Sequence, residues 1–270
     1  MESLPLIDIQ KVFSKKNPKL AHMFPGFAWH ALEHLIHQEE INGVITRYAH
    51  CDPAGFIRAA LPDMRISYTV HGFERIPEWG RNVFVSNHPL GGLDGLILMD
   101  VMASRFGNFR FVVNDVLMNL PVVQKVFVPV NKFGRQKSGY VTALDDLFAS
   151  DAQVLFFPAG LCSRKIRGDI SDLPWNKTFL TKAIQHQREV VPVYFSARNS
   201  ALFYHLANIR KFLGIKMNIE MFLLPREMFR QKGRSLSLVF GDPIPWQQFD
   251  ASRSVPDWVE FVRSRVYAMA

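Results

Sequence analysis

Cysteine is scarce in this chain of 270 residues: there are two, Cys51 and Cys162, and they form no CxxC pair. A secreted scaffold held by several disulfides is therefore excluded, as is a cysteine-built zinc module. No apolar run approaches the roughly 18 to 20 residues of a membrane-spanning helix. The opening MESLPLIDIQKVFSKKNPK has neither the basic start nor the unbroken apolar stretch of a secretion signal. A cytoplasmic protein is expected, with contact to a membrane surface left open. Charged residues, at 21%, are too few for a disordered chain. Repeats, low-complexity tracts and linkers are missing too.

What is present is a large apolar share, 48% hydrophobic and 13% aromatic, enough for the core of one large domain. The net charge of +8 and pI near 9.6 point to anionic partners. Basic residues cluster at Lys11, Lys15, Lys16 and Lys19, at Arg164, Lys165 and Arg167, and at Arg226, Arg230, Lys232 and Arg234. No zinc finger, RNA-recognition signature or basic leucine zipper accompanies them, so nucleic acid is not the expected partner.

Apolar residues recur at helical spacing from Leu20 to Ile36, broken by Pro25-Gly26, so residues 20 to 49 are expected to be helical. Residues 65–70 alternate like a strand. Strand candidates then follow at 82–86, 109–114, 125–130, 152–157, 190–196 and 235–240. Helix candidates lie at 94–105, 138–149, 175–187, 201–213 and 256–268. This alternation predicts an α/β fold, a mostly parallel central sheet flanked by helices, with an N-terminal helical cap. Ligands of open α/β sheets sit at the C-terminal ends of strands. Two loops fall there, Ser86-Asn87-His88 and Phe157-Pro158-Ala159-Gly160.

The first loop continues as SNHPLGGLDG, residues 86–95. An imidazole near neutral pKa takes a proton from a hydroxyl if a carboxylate holds its tautomer. A Pro-Leu-Gly-Gly turn is able to fold Asp94 back onto His88. A second reading is open at this point: Asp94 simply caps the following helix. The later loop, Pro158 to Lys165, is a turn with a cationic rim suited to an anionic head group, or an ordinary solvated basic loop.

Taken in order, these pieces resemble the glycerophospholipid acyltransferase family, which includes the lysophosphatidic acid acyltransferases. The family's first block, Asn-His, four residues and Asp, is similar to Asn87-His88 and Asp94. Its second resembles Lys125 to Lys132, its third, Phe-Pro-Glu-Gly-Thr-Arg-Ser, Phe157 to Ser163, and its fourth Val191-Pro192-Val193. Gly241 to Pro245 is similar to the closing segment, so the likeness spans about residues 65 to 250. There are departures. Five residues separate His88 from Asp94, Gly91-Gly92 being flexible enough to absorb the extra one, and Ala159, Leu161 and Cys162 replace the Glu, Thr and Arg of the third block. NHPLGGLDG and FPAG look more like the bacterial, hemolysin-like branch that O-acylates lyso-aminolipids such as ornithine or glycine lipids.

The resemblance implies a glycerol-3-phosphate acyltransferase-like fold, with an N-terminal amphipathic helical region over 1–62 and an acyltransferase domain over 63–270. It implies that His88 deprotonates a lyso-lipid hydroxyl, that Asp94 orients it, and that the alkoxide attacks a thioester directly. The lack of a GxSxG elbow is then no objection. The implied donor is acyl-acyl carrier protein or acyl-coenzyme A, with no cofactor and no metal. Asn87, Lys132, Arg135, Gly160, Ser163, Arg164, Lys165 and Lys177 are the implied substrate-binding positions. Backbone N–H groups near Gly160 would hold the oxyanion, and Arg164, Lys165 and Lys177 a head-group carboxylate. Lysophosphatidic acid is the second expected acceptor, and a non-catalytic basic lipid-binding protein of the same fold is the alternative class.

Two further features stand outside that likeness. His30-Ala31-Leu32-Glu33-His34, with His37 beyond, matches an H-x-x-E-H zinc pattern, but no surrounding context supports it over a polar helix face. The helix from about 27 to 47, with Phe24, Phe27 and Trp29 nearby, and residues 201 to 217 are candidates for contact with an anionic membrane. A peripheral position on the inner face of a bacterial membrane is the resulting expectation.

Overall fold

In the computed structural model, which describes residues 6–16, 18–114, 122–130, 138–215 and 218–270, helices come first. α1 (Ile9–Lys16) leads into α2 (Pro18–Met23), α3 (Gly26–Leu35) and α4 (Gln38–Arg47). Extended Pro25 separates α2 from α3, as its sequence position predicts. The break between α3 and α4 falls at His37, which takes a left-handed φ of 53° that no glycine announces. α5 (Pro53–Asp63) lies beyond the 20–49 stretch read as helical, almost all of it within the helical region expected over 1–62, and its start is signalled. The Asp52 side chain caps it by accepting the Gly55 N–H at 2.7 Å, and Pro53 takes the first position.

The strands are β1 (Ser67–His71), β2 (Asn82–Ser86), β3 (Phe109–Asn114), β4 (Phe127–Val130), β5 (Gln153–Phe156), β6 (Arg164–Ile166), β7 (Asp169–Ser171), β8 (Glu189–Ser196) and β9 (Ser235–Phe240). Among the described residues, seven form one sheet in the order β1-β9-β8-β2-β5-β3-β4. Its pairs are parallel except β8 with β9. β6 and β7 form a separate antiparallel hairpin that the sequence patterns did not signal. The helices after β2 are α6 (Gly92–Ala103), α7 (Ser138–Ala149), α8 (Thr178–Gln185), α9 (Ala201–Phe212), α10 (Leu224–Phe229) and α11 (Val255–Tyr267). Strand β4 starts at Phe127, two residues later than expected, because Gln124–Val126 closes a tight helical turn.

β2 lies in the middle of the sheet, and all five of its residues are buried. Such a strand has both faces covered, which explains its unbroken apolar run. Its two-residue period sends Phe84 into one apolar layer and Val83 and Val85 into the other. The first layer also takes Leu61 of α5 and Leu93 and Ile97 of α6, and the second takes Phe179 of α8 and Val262 of α11. β2 therefore delivers its C-terminal loop from the centre of two packed layers.

Candidate active site

Two residues past β2, the imidazole of His88 meets the carboxylate of Asp94: Nδ1 to Oδ2 is 3.0 Å. Asp94 is fully buried and sits in the first turn of α6. Its Oδ2 also accepts the backbone N–H groups of Leu90 (2.9 Å) and Gly91 (3.3 Å), and its Oδ1 accepts that of Gly95 (2.9 Å). Since that oxygen is an acceptor throughout, Nδ1–H of His88 is the donor and Nε2 keeps its lone pair. The two readings of Asp94 turn out to be one arrangement, because a single carboxylate secures the helix start and fixes the imidazole. Gly91 makes this possible with φ 85° and ψ −111°, a backbone that other residues rarely adopt.

Asn87 does not face a ligand. Its Nδ2 donates to the Phe195 carbonyl at 3.0 Å, and its Oδ1 accepts the Phe195 N–H at 2.7 Å. Both ends of the amide are thus used to brace the loop against β8, which corrects the expected binding role.

The second loop comes in alongside. The Phe157 ring stacks on the His88 ring, with centroids 4.2 Å apart and planes at 20°. Ser163 donates its N–H to the His88 carbonyl at 2.8 Å. Asp172, which the sequence did not single out, ties the two loops together. Its Oδ1 accepts the His88 N–H (3.2 Å) and the Ser163 hydroxyl (2.6 Å), and its Oδ2 accepts the Trp175 indole N–H (2.9 Å). Burial lifts the Asp172 carboxyl above its ordinary pKa, against the opposing effect of these donors. Cys162 is also enclosed, and burial pushes its thiol up to about 12, so it is neither thiolate nor nucleophile at neutral pH. The His88 side chain, 15% exposed, is the titratable group at this junction that keeps a path to solvent.

The other expected positions divide. Lys132 and Arg135 lie outside the described residues. The Gly160 N–H already donates to the Phe157 carbonyl at 2.9 Å, so it closes a turn and is not free for an oxyanion. The Ser163 hydroxyl is held by Asp172 rather than pointing to a substrate. Arg164 is buried, paired with Glu220 at 2.9 Å and donating to the Cys162 carbonyl at 2.6 Å. Arg210 reaches the same Glu220 at 2.8 Å, so Arg164 belongs to an internal ion cluster and not to a head-group rim. Lys165 and Lys177 are exposed. In the zinc-like segment, His30 pairs with Glu33 at 3.4 Å, and His37 stacks on Phe229 and bonds Glu40. Among the described residues, no three potential ligands gather as a metal site.

Known proteins are similar to this chain over nearly its whole length. A family model described as Acyltransferase matches residues 11–270. A relative from Phocaeicola vulgatus, named lyso-glycine lipid O-acyltransferase, is 42% identical over 269 residues, covering 99% of this chain and 96% of its own. One of the same name from Bacteroides thetaiotaomicron is 43% identical over 269 residues, covering 99% of both. Among solved structures, the 1-acyl-sn-glycerophosphate (LPA) acyltransferase PlsC of Thermotoga maritima overlaps 80% of this chain and 78% of its own, at 18% identity and a TM-score of 0.47.

Proposed function

Given that the chain belongs to the acyltransferase family, we propose that it moves a fatty acyl group from a thioester to the hydroxyl of a lyso-glycine lipid, with His88 as general base. The observation that carries this reading is the 3.0 Å contact between His88 Nδ1 and the buried Asp94 Oδ2. It leaves Nε2 as the proton acceptor and the imidazolium next to a carboxylate when the proton arrives. The acceptor's O–H proton passes to Nε2, and the alkoxide oxygen bonds to the thioester carbonyl carbon. The tetrahedral intermediate then expels the thiolate, which takes the proton back from His88. No residue becomes acylated, and Cys162, sealed and protonated, is not a competing nucleophile.

The acceptor class comes from the names of the two relatives, which match this chain almost end to end. A thioester of acyl carrier protein or coenzyme A is the donor, both anionic, consistent with the basic surface. An insoluble acceptor requires a lipid-facing surface, and α9 offers one. Phe203 and Tyr204 on one side are buried, while Leu202, Ile209 and Phe212 on the other are exposed, Phe212 at 90%. Phe27 of α3 is 78% exposed as well, whereas Trp29, expected beside it at the interface, packs inward against Phe13. Among the described residues, no helix is long and apolar enough to cross a membrane. The exposed apolar face of α9 and the basic surface support a peripheral position on the inner membrane, on its cytoplasmic side.

The test is acyl transfer by purified protein to lyso-glycine lipid, supplied in turn with acyl-acyl carrier protein and acyl-coenzyme A. His88→Ala should lower the rate by about 10²–10⁴-fold, the usual contribution of a positioned general base. A variant as fast as wild type would remove His88 from the mechanism.

A further inference from the structure

Four cationic side chains surround a cavity of about 350 Å³ between the β6–β7 hairpin, the segment after β8, and α10 with the turn that follows it. They are Lys165, Arg198, Arg230 and Arg234. Lys165, Arg198 and Arg234 form no ion pair with any described residue, and Arg230 is 4.0 Å from Glu227. Glu227, the carboxylate in the wall, is already engaged. It accepts the Ser200 N–H at 2.6 Å, the Ser200 hydroxyl at 2.7 Å and an Arg226 N–H at 3.3 Å. Three of these four cations have no counter-ion among the described residues, and gathered like charges repel one another, so the space favours an anion with several acceptor oxygens.

Two of the walls of this cavity are tied to the loop that carries His88. Ser163, two residues before Lys165, donates its N–H to the His88 carbonyl at 2.8 Å. Asn199, adjacent to Arg198 and itself lining the cavity, donates its Nδ2–H to the Pro89 carbonyl at 2.9 Å. An anion held here is therefore held by segments that are hydrogen-bonded to the His88 loop. In the acceptor, a free amino-acid carboxylate and the hydroxyl belong to one small region of one molecule. In either donor, the nearest phosphate is a full pantetheine arm away from the thioester.

We propose that this cavity is an oxyanion site, and that it takes the free carboxylate of the acceptor's amino-acid head group. The inference rests on the lyso-glycine lipid reading and deepens it. It also replaces Arg164 and Lys177 with Arg198, Arg230 and Arg234 as partners of Lys165 in head-group recognition.

Steady-state kinetics of the full chain in mixed micelles test it, with lyso-glycine lipid and the donor varied separately. The combined substitution Arg198→Gln and Arg234→Gln should raise KM for the acceptor at least tenfold, with kcat and the donor KM changed less than twofold. Wild type should discriminate strongly against the methyl ester of the acceptor, and the variant should not. Arg198→Lys with Arg234→Lys keeps both charges and should restore most of the acceptor affinity, which separates loss of charge from loss of fold. A rise confined to the donor KM would assign the cavity to donor phosphate and overturn the proposal, as would unchanged kinetics. Failure of wild type to acylate lyso-glycine lipid at all would instead remove the functional reading on which the proposal stands.

Discussion

Asp172 holds His88 by its backbone, while Asp94 holds it by its ring. Three donors converge on the Asp172 carboxylate, and an asparagine there would turn an amide NH₂ toward one of them. Asp172→Asn should cost about 1–3 kcal/mol, the usual result of leaving a buried donor without its acceptor. The pH dependence has a definite sign. Burial raises the Asp172 pKa above 3.8, so the folded state holds that proton more tightly than the unfolded chain does. Its stabilising contribution is full below the ordinary value and is lost as pH rises through the raised one. Urea unfolding at a series of pH values should show the gap between wild type and Asp172→Asn narrowing as pH rises, and parallel curves would refute the assignment. At this scale the sequence was informative about His88 and Asp94, whose turn and block order point to each other. It was silent on Asp172, because its partner lies 84 positions away and nothing local separates it from Asp169.

The extra residue between His88 and Asp94 belongs to the turn that starts α6, and its two glycines are not equivalent. A Cβ on Gly91 would stand 2.9 Å from Leu224 Cδ1 and 3.1 Å from Cys162 Sγ, on a backbone with φ 85°. A Cβ on Gly92 would meet nothing within 4 Å. Gly91→Ala should destabilise the protein by about 1–3 kcal/mol and slow acyl transfer by shifting the His88–Asp94 contact. Gly92→Ala should leave activity intact and be neutral or stabilising by about 0.4–1 kcal/mol. Thermal melts with parallel rate measurements check both, and equal effects at the two positions would refute the distinction. Most elements were legible because periodic apolar runs and strand-end loops are local signals. The α3–α4 break was not, since a histidine supplies the left-handed residue. The β6–β7 hairpin was hidden because its strands are three residues each, shorter than any periodicity reveals. Arg164 misled for a different reason, since a basic residue in a loop reads as exposed until Glu220, 56 positions on, neutralises it inside.

Over the whole molecule, the basic surplus and the outward apolar stripe of α9 act together. The stripe runs through Leu202, Ile209 and Phe212 and continues to Leu213, with Lys211 beside it. Apolar insertion and basic attraction of about 1 kcal/mol per cation near an anionic surface reinforce each other. Phe212→Ser with Leu213→Ser should reduce co-sedimentation with anionic vesicles several-fold while transfer to micellar acceptor persists. Equal binding by the variant and wild type would remove α9 from the interface. The sheet order carries a consequence in time as well. Among the described residues, Ser67 to His71 of β1 pair only with Ser235 to Val239 of β9, so the first described strand finds its neighbour only after the last described one has left the ribosome. During synthesis β1 and its apolar Tyr68 and Val70 wait unpaired through most of elongation. A nascent chain of this enzyme is for that interval a client for chaperones, and a message cut short before β9 yields an open sheet edge rather than a smaller enzyme.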